Sequence, residues 1–175
     1  MLKKIAIAIV VIVAVIVGLA LTKPNTFSVV RVATIKAPPE KIAPLIADFH
    51  NWLSWSPWEG LDPQMQRTFS GAPNGVGAVY AWQGNSKVGQ GRMEVSSVTV
   101  PGSILIKLDF LEPIASHNIA DFKLAPQGDS TVVTWTMTGP MDMLSKVMNV
   151  FVSMDAMIGP DFERGLAKLK SVAEK

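Results

Sequence analysis

The sequence predicts an α+β fold in which a curved, seven-stranded antiparallel sheet wraps around a long C-terminal helix, preceded by one apolar N-terminal helix. Three observations support this prediction. The chain opens with an uninterrupted apolar run from Ile5 to Leu21. Seven segments of strand composition follow, and the short connections between the later ones favour antiparallel pairing, because parallel neighbours need long crossovers. Residues 144–172 carry apolar side chains at every third or fourth position, which is typical of an amphipathic helix.

Length and composition limit the possible classes of protein. A chain of 175 residues has room for one domain with a sizeable core. It contains no cysteine, which excludes disulfides, thiolate metal sites and a lipid-attached N-terminal cysteine. Beyond Lys23 there are 13 Lys and Arg against 14 Asp and Glu. This part is nearly neutral and lacks the basic patch of a nucleic-acid-binding protein, so no nucleic-acid partner is predicted.

The apolar run from Ile5 to Leu21 lies at the lower edge of the length that spans a bilayer. The residues that bracket it are Lys3, Lys4 and Lys23. We interpret residues 1–22 as an uncleaved membrane anchor whose partner is the lipid bilayer. A cleaved secretory signal and a buried helix are the alternatives, although the run is longer than the apolar core of a typical signal.

The charges that flank the anchor predict its orientation. Two lysines and the terminal amine precede the run, and one lysine follows it closely. The positive-inside tendency then leaves the N-terminus in the cytoplasm. We therefore expect a single-pass protein of a bacterial inner membrane, with a linker at 23–26 and a periplasmic domain at 27–175.

The first strand and first helix of that domain follow from local composition. Residues 27–36 are dense in Val, Ile and Thr, which is typical of a strand. Pro38 and Pro39 fit a helix start, because the missing N–H of proline costs nothing in the first turn. An amphipathic pattern continues to Phe49, and Pro44 is expected to bend this helix or limit it to about two turns.

A tryptophan-rich segment follows the first helix. Residues 48–51 are predicted to lead into a second helical turn that carries Trp52, Trp55 and Trp58 at three-residue intervals. Large aromatic side chains stand here where a surface loop would be polar, so we expect the segment to close over something apolar. Trp55 and Trp58 are predicted to be core residues, gates of a pocket, or aromatic side chains that face a membrane.

Turn signals recur from residue 66 onward, and strand-like runs lie between them. These runs are 67–70, 77–83, 89–98, 104–111, 116–124 and 131–138. The glycine pairs at 75–77 and 89–91 lack the strand-to-helix context of a dinucleotide site, so we interpret them as turn or bulge glycines.

The apolar stripe of residues 144–172 predicts a helix with one interruption. Gly159 and Pro160 break the pattern, so a kink or break is expected there. Because the stripe resumes in phase, both halves are expected to lie across the same face of the sheet. Methionines are frequent on and around this helix, and they are predicted either to fill the core or to line a cavity between helix and sheet.

The order of one strand, two short helices, six strands and a long helix resembles the helix-grip domain of the START-like (SRPBCC) superfamily. The resemblance is closest to its polyketide cyclase/dehydrase-like group. It depends on the Ala-Pro-Pro-Glu-Lys sequence at 37–41, the stretch 48–58 and the strand 131–135, and it covers residues 27–174. It implies a deep cavity between the concave face of the sheet and the long helix. Members of the superfamily include lipid carriers, hormone receptors and cyclases.

Given that cavity, strand alternation nominates the side chains that line it. Large apolar side chains that alternate with Thr, Lys, Arg or Glu are expected to point inward, and Asn118 shares such an inward face. The predicted ligand-binding residues are Trp55, Trp58, Tyr80, Trp82, Met93, Leu108, Phe110, Asn118, Trp135, Met137, Met154 and Met157. An apolar pocket with a few polar groups is how small-molecule sites are commonly built.

Few residues are candidates for catalysis. His50 and His117 are the only histidines, and both are interpreted as surface or structural residues. No zinc, nucleophile-elbow or phosphate-loop motif occurs. Glu59, Asp62 and Asp109 could supply a buried carboxylate for proton transfer, but they are expected to be exposed. The sequence therefore predicts no catalytic residue, no metal site and no cofactor.

These observations favour a membrane-tethered periplasmic domain that binds a hydrophobic small molecule or lipid in an apolar cavity without catalysis. An alternative is an accessory or structural subunit of an inner-membrane complex, in which the single span docks against the helices of other subunits. A third hypothesis is a polyketide cyclase-like enzyme. Co-purification in mild detergent separates the first two, because a lone binding module is expected to run free.

Overall fold

The computed structural model describes residues 1–175 and confirms the predicted α+β fold with seven strands. In chain order the elements are α1 Leu2–Leu21, β1 Thr26–Ile35, α2 Pro39–Ala47, a 3₁₀ helix Phe49–Ser54, β2 Gln66–Gly71, β3 Ala78–Gln83, β4 Gln90–Val98, β5 Gly102–Glu112, β6 Ser116–Gln127, β7 Ser130–Pro140, α3 Met143–Phe151 and α4 Met154–Ala173. Strand β1 begins one residue before the predicted start of the domain.

All seven strands belong to one antiparallel sheet with the order β1-β7-β6-β5-β4-β3-β2. Strands β1 and β2 form its two edges, so α2 and the 3₁₀ helix cross between opposite edges. The register of β4 against β5 shifts between Val95 and Ser97. Such a bulge bends the strand and increases its local twist, and it contributes to the curvature of the sheet around α4.

The centre of the core is an aromatic stack between the sheet and α4. The Trp135 ring of β7 stacks on Phe162 of α4, with ring centroids 3.9 Å apart and an interplanar angle of 6°. Phe122 of β6 stacks against Trp135 at 4.8 Å. Gly165 leaves room for this packing, because a Cβ there would lie 2.9 Å from Trp135 Cζ3. Helix α4 is therefore fixed across the concave face.

The 3₁₀ helix is fixed to the end of α2 by side chains. The indole Nε1 of Trp52 donates to the carbonyl of Ile46 at 2.8 Å, and that of Trp55 donates to the carbonyl of Leu45 at 2.7 Å. The Asn51 amide donates to an adjacent carbonyl in the same turn. A helix end leaves its last carbonyls without backbone partners, so these tryptophans complete α2 as well as filling the core.

The C-terminal helical segment breaks at a different place from the one predicted. Of the kink or break expected at Gly159 and Pro160, the break is contradicted, because both residues lie within α4. The chain is extended at Val152 and Ser153, and the Ser153 hydroxyl caps α4 by accepting from the Ala156 N–H at 3.1 Å. A serine N-cap stabilises a new helix start, and this cap explains the position of the break.

The prediction that both halves of the stripe lie across the sheet is also wrong. Helix α3 has no buried residue, and it packs against α1 instead. The residues of the second half of α1 that lose exposure are Ile16 and Ala20, which lie four residues apart on one face of the helix. Only α4 covers the concave face of the sheet.

Helix α1 is apolar from Ile5 to Leu21, and by length and composition it is able to span a membrane. A signal sequence near the N-terminus meets the same criterion of length and composition. Ala20 is its one buried residue, and the remainder of the helix is almost entirely exposed apolar surface.

Candidate functional site

Two adjoining cavities lie between the sheet and the C-terminal helices. The first has a volume of about 290 Å³ and lies beneath Trp58, between the concave face and α4. The second, of about 410 Å³, lies between α3, the start of α4 and the turn that joins β5 to β6. Phe110, Met137 and Ile158 line both cavities and form a shared wall. Such volumes approach or reach the lower range of small-molecule sites, ~300–1,000 Å³.

Most of the predicted ligand-binding residues line one or both of these cavities. Those at the first are Trp58, Tyr80, Trp82, Met93, Leu108, Phe110, Trp135 and Met137. Those at the second include Asn118, Met154 and Met157. Trp55 lines neither, because it is fully buried in the core beneath α2. The structure thus brings the remaining residues together, and their role in binding a ligand stays a prediction.

The walls of the first cavity are mainly aromatic. Trp58 meets Trp135 edge to face at 5.9 Å and Phe162 at 6.2 Å. Tyr80 and Trp82 of β3 stack at 6.0 Å in another part of the same wall. Gly91 allows this arrangement, because a Cβ there would lie 2.5 Å from the Trp82 ring. The glycine therefore serves close packing of an aromatic wall.

The prediction that Glu59 is an exposed charge is wrong. Its side chain is only 11% exposed and lines the first cavity. One carboxylate oxygen accepts from the Tyr80 hydroxyl at 2.9 Å, and the other accepts from Arg67 at 2.6 Å. Burial, together with the neighbouring carboxylate, raises the pKa of Tyr80 well above its ordinary value. Tyr80 therefore stays protonated and donates to a paired carboxylate.

Asp62 is also buried, contrary to the prediction. Its carboxylate accepts from the backbone N–H of Asn85 at 2.7 Å and from that of Gln64 at 3.0 Å. These bonds tie the segment after Trp58 to the turn between β3 and β4. Asp109 lies on the outer face of the sheet as expected, where it pairs with His117 at 2.7 Å. Asp62 thus has a structural role.

His50 lies outside both candidate cavities, and His117 lies at the rim of the second. His50 stacks on Phe69 and pairs with Asp48 at 2.9 Å. His117 is strongly exposed beside Asp109, at the edge of the second cavity. No group of three or more His, Asp or Glu side chains is placed to hold a metal ion.

Two buried polar atoms have no hydrogen-bond partner, and each belongs to a residue that lines a cavity. They are Trp135 Nε1, at the first cavity, and Asn118 Oδ1, at the second. The amide nitrogen of Asn118 donates to Ser116 at 3.0 Å. A buried polar group without a partner costs about 1–3 kcal/mol, so the protein leaves one donor and one acceptor unpaired among the residues that line the cavities.

Several lining residues were not found from the sequence. Ile158 and Phe162 stand four residues apart on the apolar stripe of α4, and that spacing could have identified them. Glu59 and Asp161 line the first cavity, although each carries a charge. The part of the second cavity lined by Ser145 and Asn149 depends on the position of α3, for which the sequence carried no signal.

Comparison with known proteins gives a family match over most of the chain. The family model described as "polyketide cyclase / dehydrase and lipid transport" matches residues 26–174. Among curated proteins, no sequence matches this chain.

Solved structures share the fold at low sequence identity. A protein from Chromobacterium violaceum is 16% identical with a TM-score of 0.59, and the match covers 87% of this chain and 99% of that one. The Aha1 dimer from Colwellia psychrerythraea is 17% identical with a TM-score of 0.60, covering 85% and 96%. Norcoclaurine synthase from Thalictrum flavum, solved with dopamine and hydroxybenzaldehyde, is 10% identical with a TM-score of 0.62, covering 88% and 89%. At these identities the likeness establishes the helix-grip fold alone.

Proposed function

Because the chain belongs to the polyketide cyclase / dehydrase and lipid transport family, we propose that it binds a hydrophobic small molecule or lipid in the cavities beneath α4, without catalysis. We further propose that α1 tethers this domain to a bacterial inner membrane, with the domain on the periplasmic side. The observation that carries the proposal is the pair of adjoining apolar cavities, whose lining residues include two polar atoms without partners.

The lining supports an apolar ligand with few polar groups. Of the 18 residues around the first cavity, 14 are hydrophobic, so most of a bound molecule would meet carbon and sulfur atoms. Trp135 Nε1 can donate one hydrogen bond and Asn118 Oδ1 can accept one. A mostly apolar molecule with a hydroxyl or carbonyl group fits this combination, because it would satisfy a group that the protein leaves unpaired.

The two carboxylates and the tyrosine at the first cavity support binding without catalysis. Glu59 and Asp161, the two carboxylates in the lining, are paired with Arg67 and Arg164 respectively. The Tyr80 hydroxyl already donates to Glu59. A general acid or base must reach the proton that it transfers with a free donor or acceptor. In this cavity each of these groups already forms a hydrogen bond or ion pair with a neighbouring side chain.

The experiment is extraction and identification of the bound molecule. Full-length protein is purified in mild detergent and extracted with chloroform and methanol, and the extract is analysed by mass spectrometry. In the variant Met137→Trp a larger side chain at the wall shared by the two cavities reduces their volume, so the amount of co-purified molecule is expected to fall. Val32→Trp, on the exposed outer face of β1, is the matched control and is expected to retain the wild-type amount.

A second filled variant, Ala120→Leu, tests the same point with a smaller change in the first cavity. Equal extracts from wild type and from both folded filled variants would contradict the proposal. Stable co-purification of other membrane proteins with the wild type would instead favour the accessory-subunit hypothesis. Turnover of the extracted molecule by the purified protein, abolished in Glu59→Gln, would favour a cyclase-like enzyme.

A further inference from the structure

Helix α3 exposes an apolar face that nothing in the domain covers. Phe151 is 68% exposed, and other large apolar side chains of the helix are also exposed. They are Met143, Leu144 and Met148. At the α-helical period Leu144 and Phe151 fall on one side of α3 and Ser145 and Asn149 on the other. Met148 lies between the two sides, because it is exposed and also lines the second cavity. A contiguous exposed apolar surface of this kind marks an interaction site.

The neighbour of α3 indicates what covers this face. Helix α3 packs against α1, whose composition and length suit a membrane span. The short segment between α1 and β1 is bonded to the start of α3. The Asn25 side-chain oxygen accepts from the Lys146 ammonium at 2.6 Å, and the Asn25 carbonyl accepts from the Met141 N–H at 2.8 Å. The domain is therefore fixed beside the end of α1, with no long linker between them.

The dimensions place α3 at the edge of a bilayer that α1 spans. Ile16 loses exposure where α3 packs, and it lies about 8 Å before Leu21 at ~1.5 Å per residue. Amphipathic helices in a membrane interface bury their apolar face ~5–10 Å deep. The apolar run from Ile5 to Leu21 measures about 26 Å, slightly less than the ~30 Å hydrocarbon core, and a short span is accommodated by local thinning of the bilayer or by snorkelling of its flanking residues.

The second cavity opens beside the same face. Ser145 and Asn149, on the polar side of α3, line it, together with the β5–β6 turn. Ile114 in that turn is an exposed apolar residue. The start of β6 lies near the ends of β7 and β1 that adjoin α1, because Ile119 pairs with Thr138 and Thr26 pairs with Pro140. The opening of the second cavity therefore lies at the end of the domain that adjoins α1.

Resting on the membrane tether proposed above, we propose that α3 lies at the boundary between headgroups and acyl chains of the adjacent leaflet, with the second cavity open to that leaflet. The partner of the α3 face is a lipid surface. A hydrophobic ligand then passes between the bilayer and the cavities without crossing water. The exposed residues of α3 and the β5–β6 turn contact lipid, and the polar side of α3 forms part of the passage.

Site-directed spin labelling tests this arrangement, and the absence of cysteine gives every single-cysteine variant a unique label. Full-length Phe151→Cys and Ile114→Cys proteins are reconstituted in vesicles of phosphatidylethanolamine and phosphatidylglycerol. Val11→Cys reports on insertion of α1, and Gln127→Cys, at the opposite end of the β6–β7 ladder, is the control in water. Relaxation by oxygen reports lipid exposure, and relaxation by a soluble nickel complex reports water exposure.

Labels at residues 151 and 114 are expected to favour oxygen over the nickel complex by at least threefold relative to the label at residue 127. If residue 11 lies in lipid while residues 151 and 114 match residue 127, the inference is overturned and the tether stands. If residue 151 alone lies in lipid, the open passage is overturned. If residue 11 lies in water, the tether and the inference both fail. Leu144→Cys replaces Phe151→Cys if that variant does not fold.

Discussion

Helices α3 and α4 are consecutive parts of one apolar stripe, yet they have different surroundings. Helix α4 buries Phe162, Leu166 and Leu169 against the sheet and the tryptophan-rich segment, whereas α3 buries no residue. A capped break at Ser153 separates them. The periodicity of a sequence indicates which face of a helix is apolar, and it does not identify the partner of that face. In this chain the domain covers one helix and leaves the other open.

The largest test of this difference compares the same substitution in each helix. Leu169→Ala removes a fully buried side chain of α4, and we expect it to lower the free energy of unfolding by about 2–5 kcal/mol. Leu144→Ala in α3 changes a side chain that is 55% exposed, and we expect a change within about 0.5 kcal/mol. Denaturation in one detergent measures both. Equal losses would show that α3 belongs to the core.

A second test separates stability from binding beneath α4. Trp55→Phe leaves the Leu45 carbonyl without its donor and is expected to cost about 1–3 kcal/mol of stability. Trp135→Phe removes an indole N–H that has no partner in the protein, so its stability loss is expected to be smaller.

The amount of ligand that each variant retains is expected to follow the opposite order, with the larger loss in Trp135→Phe. Trp135→Phe lowers the amount of co-purified molecule, while folded Trp55→Phe protein keeps the wild-type amount. Mass spectrometry of the extracts measures this difference. If both variants retain equal amounts, Trp135 Nε1 does not contact the ligand.

The N-caps of the two helices offer a third, smaller test. The Ser153 hydroxyl caps α4, and Ser153→Ala is expected to lower global stability by about 1 kcal/mol. The Asp142 carboxylate caps α3 by accepting from the Ser145 N–H at 2.7 Å. Asp142→Ala is expected to speed hydrogen exchange within α3 without lowering global stability, because α3 lies outside the core. Loss of global stability in Asp142→Ala would contradict the comparison.

The smallest expected effect is a loss of stability at acidic pH, through the ion pair between Arg31 and Asp155. Hydrogen bonds from the Arg31 guanidinium hold the pKa of Asp155 below its usual range. A carboxyl whose pKa is lowered by folding stabilises the native state above its ordinary pKa, and this contribution is lost as the pH falls through the lowered value. Stability is therefore expected to decrease below about pH 4 as the link between β1 and α4 weakens.

Asp155→Asn is expected to flatten that part of the pH dependence. Unfolding curves of the wild type and the variant between pH 6 and pH 3 measure the difference. Asp129→Asn, which removes another exposed carboxylate with a lowered pKa that pairs with Lys36 and not with Arg31, is the control. The same flattening in both variants would show that the Arg31 pair makes no particular contribution.

The sequence predicted the sheet and much of the cavity lining, because strand alternation has a strict period of two. Met93, Leu108, Trp135 and Met137 all point inward as that period requires. Asn118 was predicted by the same rule and is buried at the second cavity. These positions depend only on local pairing, which is why the sequence alone sufficed.

The features that were missed depend on distant partners. Glu59 is buried because Arg67 and Tyr80, on β2 and β3, supply donors to its carboxylate. A loop sequence gives no indication of those donors. The sequence offers two places for a break in this helical segment, the serine cap at Ser153 and the Gly159-Pro160 pair, and the chain breaks at the serine. Pro160 is accommodated in the second turn of α4. The position of α3 depends on its contact with α1.

Native mass spectrometry of the full-length protein, released from detergent in the gas phase, tests the central claim most directly. The account predicts that the wild-type chain carries one small apolar molecule and that folded Met137→Trp protein is largely empty. A wild-type chain that is reproducibly empty, after purification in a detergent too large to compete for the cavities, would contradict it.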